Sequence, residues 1–219
     1  MALKPKQLAC AVLFSGVGTT TRALLDYAAR PQSPYRIDLL VTNNPDAPGV
    51  ALAAYYGVEL LLLPDRPQGR FMPRELWDAQ LGTELATRKP DLLLLAGFMR
   101  LLGAQLVQQW QDKILNIHPS LLPKYPGLDT HRRVLEQKDD EHGFSIHLVT
   151  PELDAGPLLW QERLRVEATD TPDKLKHRVQ QLERHFYPRV VELIALGELQ
   201  LSSSGTKLRE KQLFTTGTL

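Results

Sequence analysis

From Leu8 to Phe14 every position is apolar, and the run stops at Ser15-Gly16-Val17-Gly18-Thr19-Thr20. A short stretch that is apolar throughout, rather than at alternate positions, fits a strand covered on both faces. Helix-like spacing follows through Arg22, Ala23, Leu24, Leu25 and Tyr27. The same unit then recurs. Arg36–Val41 predicts a strand, Asp46–Tyr56 a helix, Val58–Leu63 a strand, Pro73 to Lys89 a helix, and Asp91–Ala96 another buried strand. Apolar strands alternating with helices predict an α/β protein with a mostly parallel sheet, and right-handed crossovers make it doubly wound.

Beyond residue 100 the pattern is less regular. Ile114–Ile117 predicts a short strand, residues 119 to 131 a Pro- and Gly-containing loop, Phe144–Val149 a strand, and Leu158–Val166 its partner. The last long helix is well punctuated, with Thr171 as N-cap, Pro172 at the first helical position and Gly197 just past the end. Leu175, Val179, Leu182, Phe186 and Val190 recur every three or four positions, so one face of it packs inward. The tail from Ser202 is polar and suggests a frayed hairpin. With no repeat and no linker-like tract, a single domain is expected: a nucleotide-binding half over about 8–100, a specialised half over about 101–198, and a tail at 199–219.

Composition narrows the function. A chain of 219 residues can bury one substantial core but is short for two. Its 26 Lys and Arg against 25 Asp and Glu leave a net charge of +1, which argues against a nucleic-acid or polybasic membrane binder. Cys10 is the one cysteine, so neither an intramolecular disulfide nor a Cys-rich zinc framework is available, as suits a reducing compartment. Lys4 and Lys6 before the apolar run mimic a secretion signal, but the run is short and Ser15, Gly16 and Gly18 form a weak cleavage site. No stretch approaches the roughly 18 apolar residues of a membrane span. A soluble, cytoplasmic protein is expected.

Three clusters carry candidate chemistry. The glycine turn at 15–20 lies between strand and helix, where backbone N–H groups and the helix dipole favour an anion such as a mononucleotide phosphate. It lacks the third glycine of a dinucleotide fingerprint and the lysine of a Walker loop, and a purely conformational turn explains it equally well. In Asn116-Ile117-His118, period-two alternation puts Asn116 and His118 on one side of a strand and Ile117 on the other. Such residues at the end of a parallel strand lie where open α/β sheets bind ligands. A structural, hydrogen-bonded histidine is the plainer reading. The Asn partner and the following loop Pro119-Ser120-Leu121-Leu122-Pro123-Lys124-Tyr125-Pro126-Gly127 favour a site. Asp154, in Glu152-Leu153-Asp154-Ala155-Gly156-Pro157, is either a turn former or a partner whose charge would favour protonated His118. The trio contains no nucleophile. It suits direct transfer between two bound substrates through a tetrahedral intermediate, with Asn116 and His118 stabilising the oxyanion and Asp154 helping to move protons. His118, His131, His142 and His147 fall in one stretch without metal-ligand spacing, so no metal is expected.

The blocks Ala96-Gly97-Phe98-Met99-Arg100, Asn116 through Gly127, and Glu152 through Pro157 resemble the glycinamide ribonucleotide formyltransferase family, over a span from about Val12 to the end of the last helix. Asn-x-His-Pro-Ser-Leu-Leu-Pro is shared among folate-dependent formyltransferases and related hydrolases. The extension into Lys-Tyr-Pro-Gly-Leu and Thr130-His131 is specific to the ribonucleotide enzymes. The resemblance implies a Rossmann-like formyltransferase fold and 10-formyltetrahydrofolate as donor to glycinamide ribonucleotide in purine biosynthesis. It implies catalytic Asn116, His118 and Asp154. Folate contacts would come from Met99, Arg100, Leu101, Leu102, Asn116, the loop Thr150, Pro151, Glu152, Leu153 and Asp154, and Arg74. Gly18, Thr19 and Thr20 would receive the phosphate, and Gln180 and Glu183, three apart on one helix face, the phosphoribosyl part. The chain would act as a monomer or homodimer.

Two positions depart from the family pattern. The family turn reads Ser-Gly-x-Gly-Ser-Asn; Val17, Thr19 and Thr20 keep the backbone donors and offer hydroxyls in place of an amide. Asp129 stands where His is common before Thr130. Among alternative functions, a 10-formyltetrahydrofolate hydrolase is expected to carry an added N-terminal regulatory domain, and a transfer-RNA formyltransferase a further C-terminal one. A non-catalytic nucleotide sensor would have little use for Asn116, His118 and Asp154 together.

Overall fold

The computed structural model describes residues 6–202 and 207–208. The apolar runs become the inner strands of one sheet: β1 (Leu8–Phe14), β2 (Tyr35–Thr42), β3 (Glu59–Leu62), β4 (Leu92–Leu95) and β5 (Ile114–His118) are mutually parallel. Two further strands, β6 (Glu141–Leu148) and β7 (Leu158–Arg165), add antiparallel at one edge. The order is β3-β2-β1-β4-β5-β6-β7. The expected doubly wound, mostly parallel sheet is therefore present, and it runs without interruption through both halves of the chain.

Alternation along β1 shows why its every position is apolar. Cys10, Val12 and Phe14 pack on one face against Leu24 and Leu25 of α1 (Thr19–Ala28) and Val179, Tyr187, Val190 and Val191 of α6 (Pro172–Ala195). Ala11 and Leu13 pack on the other against Trp77, Leu81 and Leu85 of α3 (Arg74–Arg88) and Leu106 and Val107 of α4 (Ala104–Gln109). Cys10 is core, its thiol pKa driven up chiefly by burial. Tyr187 reaches through the first layer and donates its hydroxyl to the carbonyls of Leu95 (3.3 Å) and Leu115 (3.2 Å), tying α6 to β4 and β5. The predicted punctuation of α6 holds: Thr171 Oγ1 accepts from Lys174 N, Pro172 opens the helix, and Gly197 takes φ +71°.

Several boundaries differ from expectation. The segment 46–56 is not one helix: Ala47 is extended, Pro48–Val50 forms a 3₁₀ turn, and only Ala51–Tyr56 (α2) is α-helical. Proline pushes the preceding residue out of the helical region, which sets that break. The loop after β5 ends at Asp129, because Thr130–Gln137 forms helix α5, and β6 begins at Glu141 rather than Phe144. Neither α4 nor α5 was anticipated. Leu199–Gln200 pairs antiparallel with Lys207–Leu208; residues 203–206 and 209–219, most of the tail expected from Ser202 onward, lie outside the described residues.

Candidate active site

Open α/β sheets bind ligands at the carboxyl ends of their strands where the strand order reverses. Here that point lies between β1 and β4. Ser15, just past β1, ties the two strand ends together. Its N–H donates to Gly97 O (3.2 Å), and its hydroxyl donates to Asn43 Oδ1 (2.6 Å) and accepts from Met99 N (2.8 Å). Gly18 caps α1 in the left-handed region at φ +77°, and a Cβ there would stand 2.9 Å from Leu52 and 3.2 Å from the Gly49 backbone. No side chain caps α1, so its first N–H groups are available to an anion.

Thr19 is exposed, but Thr20 is buried and its hydroxyl is engaged by Glu183 of α6. Thr20 thus offers an anion only its backbone, which corrects the expectation that both threonine hydroxyls would be free. Burial raises the Glu183 pKa to about 7, against the opposing pull of Thr20, Arg184 and Lys176. Gln180 is half-buried one turn earlier on the same helix.

The three predicted catalytic residues converge. Leu115 and Ile117 point into the core facing α6, while Asn116 and His118 turn away from it, as alternation along β5 requires. His118 is 5% exposed; its Nδ1 lies 3.4 Å from Asp154 Oδ2, and its Nε2 lies 2.9 Å from the Tyr125 carbonyl. Asp154, at φ +50° in the β6–β7 loop, also accepts from Gly127 N at 2.8 Å. The loop after β5 is thereby held at both of the residues it presents to the site. Ser145 on β6 anchors its start, accepting from Leu122 N (3.0 Å) and donating to Ser120 O (2.6 Å).

The charges differ from a simple ion pair. Burial lowers the His118 pKa, outweighing the Tyr125 carbonyl and the Asp154 charge, which both raise it. The expectation of a histidine held cationic by Asp154 is therefore corrected: in the free protein His118 is neutral at pH 7. Burial also works to raise Asp154, but the adjacent His147 ring, the hydrogen bond from Gly127 N and the nearby His118 ring bring it below the ordinary carboxylate value. The pair comprises an ionised carboxylate beside a neutral imidazole whose Nε2 must carry the proton, since the Tyr125 carbonyl can only accept.

Of the residues expected to contact folate, Met99 is 69% exposed, Leu101 51% and Leu153 53%, so each leaves an apolar side chain uncovered. Arg100 is half-buried. Its Nη2 donates to Met72 O at 2.9 Å, and its guanidinium lies over Phe71 (5.2 Å) and Trp77 (5.0 Å). Arg74 is exposed at the start of α3, and a Cβ on Gly103 would stand 3.5 Å from its Cδ, so it adjoins the 99–102 segment. Thr150 bonds within its own loop to Glu152 O (3.3 Å).

Residues 8–191 match the model of the family described as formyl transferase. The chain belongs to the formyl transferase family. It is 39% identical over 202 residues to the phosphoribosylglycinamide formyltransferase of Escherichia coli (strain K12), covering 92% of this chain and 94% of that protein. The structure of the phosphoribosylglycinamide formyltransferase of Coxiella burnetii superposes with a TM-score of 0.86 at 38% identity, covering 94% of this chain and 95% of that one. A formyltetrahydrofolate deformylase from Pseudomonas syringae pv. tomato shares the fold at a TM-score of 0.84 but only 20% identity, covering 94% of this chain and 67% of that one.

Two features of this formyl transferase escaped the sequence reading. His147 on β6 is 2% exposed and stands inside the trio: its Nε2 is 3.1 Å from Asn116 Nδ2 and 3.6 Å from Asp154 Oδ1. His131 and His142 form a separate edge-to-face pair, Nδ1 to Nε2 at 2.9 Å, and burial lowers both pKa values to about 4. The four histidines of that stretch thus divide into two pairs. No group of three His, Cys, Asp or Glu side chains suited to a metal gathers among the described residues. No helix among them is long and apolar enough to cross a membrane. The only available signal for His147 was its period-two relation to Ser145 on a buried strand.

Proposed function

We propose that this chain moves the formyl group of 10-formyltetrahydrofolate onto the amine of glycinamide ribonucleotide, the step of purine biosynthesis for which its relatives are named. The observation that carries the reading is the convergence of Asn116, His118 and Asp154, reached from β5, at the same carboxyl edge of the parallel strands as the uncapped N-terminus that follows β1. The ribonucleotide phosphate would sit on the backbone donors of Gly18, Thr19 and Thr20, with Gln180 and Glu183 toward the ribose. The exposed Met99, Leu101 and Leu153 fit a planar pteridine, with main chain of 99–102 and 150–154 available for its polar edge and Arg74 toward its acidic tail.

The residues divide the chemistry as follows. The acceptor amine bonds to the formyl carbon, and the carbonyl electron pair moves to oxygen. An N–H of Asn116 and the Nε2–H of His118 stabilise that oxygen, which takes the place now held by the Tyr125 carbonyl. The proton released by the attacking nitrogen is held between Asp154 and the bare Nδ1 of His118, 3.4 Å apart. It passes to the folate nitrogen as that carbon–nitrogen bond breaks and the oxygen returns its electron pair. Each formyl group transferred thus leaves one proton on the folate.

Residues 8–100 then supply the phosphate turn and 101–198 the catalytic trio, while Gln180 and Glu183 serve the nucleotide from the second half and Arg74 and Met99 the folate from the first. An enzyme of free small metabolites with one buried thiol belongs in the cytoplasm. The test is absorbance of the released folate with purified protein and 10-formyltetrahydrofolate. Release that requires glycinamide ribonucleotide supports the assignment. Release without acceptor makes the chain a hydrolase, and no release makes it a binding protein.

A further inference from the structure

In the sequence His147 stands out only as one of four histidines without metal-ligand spacing, and formyl transfer as proposed gives it no part, yet it touches two of the three catalytic residues. It faces Asn116 across the β5–β6 ladder. Its Nδ1 lies 2.9 Å from the carbonyl oxygen of Leu148, which can only accept, so Nδ1 carries a proton. In the neutral ring the opposite nitrogen, Nε2, is then an acceptor. The amide nitrogen of Asn116 stands 3.1 Å from it. Were the Asn116 amide turned over, its oxygen would face a lone pair at that distance with no proton between them.

We infer that His147 is a positioning residue for Asn116. By taking one N–H of the Asn116 amide it fixes which end of that amide is which, and leaves the second N–H, rather than the carbonyl, to meet the formyl oxygen. An asparagine can present either a donor or an acceptor to the same spot, and only the donor stabilises an oxyanion. The Leu148 carbonyl, through the tautomer of His147, thus decides the polarity of a catalytic group on the next strand. Asp154 Oδ1, 3.6 Å from the same Nε2, is too distant for a good hydrogen bond and does not replace the amide. A proton on Nε2 would reverse the arrangement, drawing the ring to Asp154 and turning the Asn116 oxygen toward it.

This inference rests on the formyl-transfer reading for its kinetic consequence but not for its geometry, and the two are tested separately. ¹⁵N resonances of His147 in the unmodified protein at neutral pH should show a protonated Nδ1 and a bare Nε2. The opposite tautomer, or a doubly protonated ring, overturns the inference whatever the protein catalyses. In turnover, His147→Leu should lower kcat by roughly 100-fold, the size of a lost oxyanion donor, with both KM values within about threefold. His147→Gln, whose amide oxygen can accept the same N–H, should recover roughly tenfold of that loss. Equal losses in both variants, or a loss confined to KM, would leave His147 a packing residue. An unmodified chain that transfers no formyl group defeats the functional reading while the ¹⁵N result still decides the geometry.

Discussion

Replacing Asp154 by Asn keeps the shape of the side chain and removes one charge from the centre of the site. The carboxylate lies 3.4 Å from His118 Nδ1, and at an effective dielectric of about 20 a unit pair at that distance interacts by about 5 kcal/mol. The amide dipole and solvent relaxation recover part of this, leaving about 3–4 kcal/mol of lost support for the imidazolium formed during transfer. That corresponds to a fall in kcat of about 10²–10³. Asp154 makes no contact with the glycine turn, so the KM for the ribonucleotide should stay within about threefold. Loss of the carboxylate also removes a charge that raises His118, so the His118 ring should titrate at lower pH in the variant, as followed by ¹H–¹³C NMR of its Cε1. Folding is affected with a definite sign. The depressed pKa of Asp154 contributes stability above the ordinary value of 3.8, and that contribution disappears as pH falls through the lower folded value. The variant should therefore be less stable than the parent at neutral pH and equal to it in strong acid. A kcat within about fivefold of the parent, or an unmoved His118 titration, would refute this account of the carboxylate.

Gly49→Ala would place a Cβ 2.6 Å from Phe14 Cε2 and 2.9 Å from Gly16 O, so it should cost about 1–3 kcal/mol in denaturant melts and raise the ribonucleotide KM more than the folate KM. Glu183→Gln should stabilise the protein by up to roughly 3 kcal/mol at alkaline pH. The buried acid titrates near 7 when folded, so its stability contribution is complete below 4.5 and lost as pH rises to about 7. The same variant should bind the ribonucleotide more weakly, and a thermal midpoint at pH 8 no higher than the parent's contradicts the buried-charge argument. His142 titrates near 4 in the folded chain against 6.5 unfolded, so protons bind the unfolded chain first. Stability should be full above pH 6.5 and fall by roughly 3 kcal/mol toward pH 4 on account of this ring, a slope that His142→Gln should largely remove in acid melts.

Much of the molecule was legible along the chain because the relevant signals are local. Strands apolar at every position announced a two-faced sheet, Thr171-Pro172 and Gly197 marked the ends of α6, and Asn116-Ile117-His118 showed which residues share a side of β5. The short helices were not legible: Ala104–Gln109 and Thr130–Gln137 are too brief for a 3.6-residue period to stand out. The electrostatics were legible least of all. Asp154 was correctly expected to favour a protonated His118, yet burial beneath the β5–α5 loop outweighs it. His147 joins the trio because β6 turns antiparallel and sets it opposite Asn116, and Glu183 meets Thr20 because α6 lies against α1. Residue types and their periodicity determined the sheet, the turn and the identity of the reacting groups. Their protonation and orientation were decided by burial and by neighbours 31 or more positions away, for Asn116 and His147 as for Thr20 and Glu183, and such distances exist only once the strands and helices have packed.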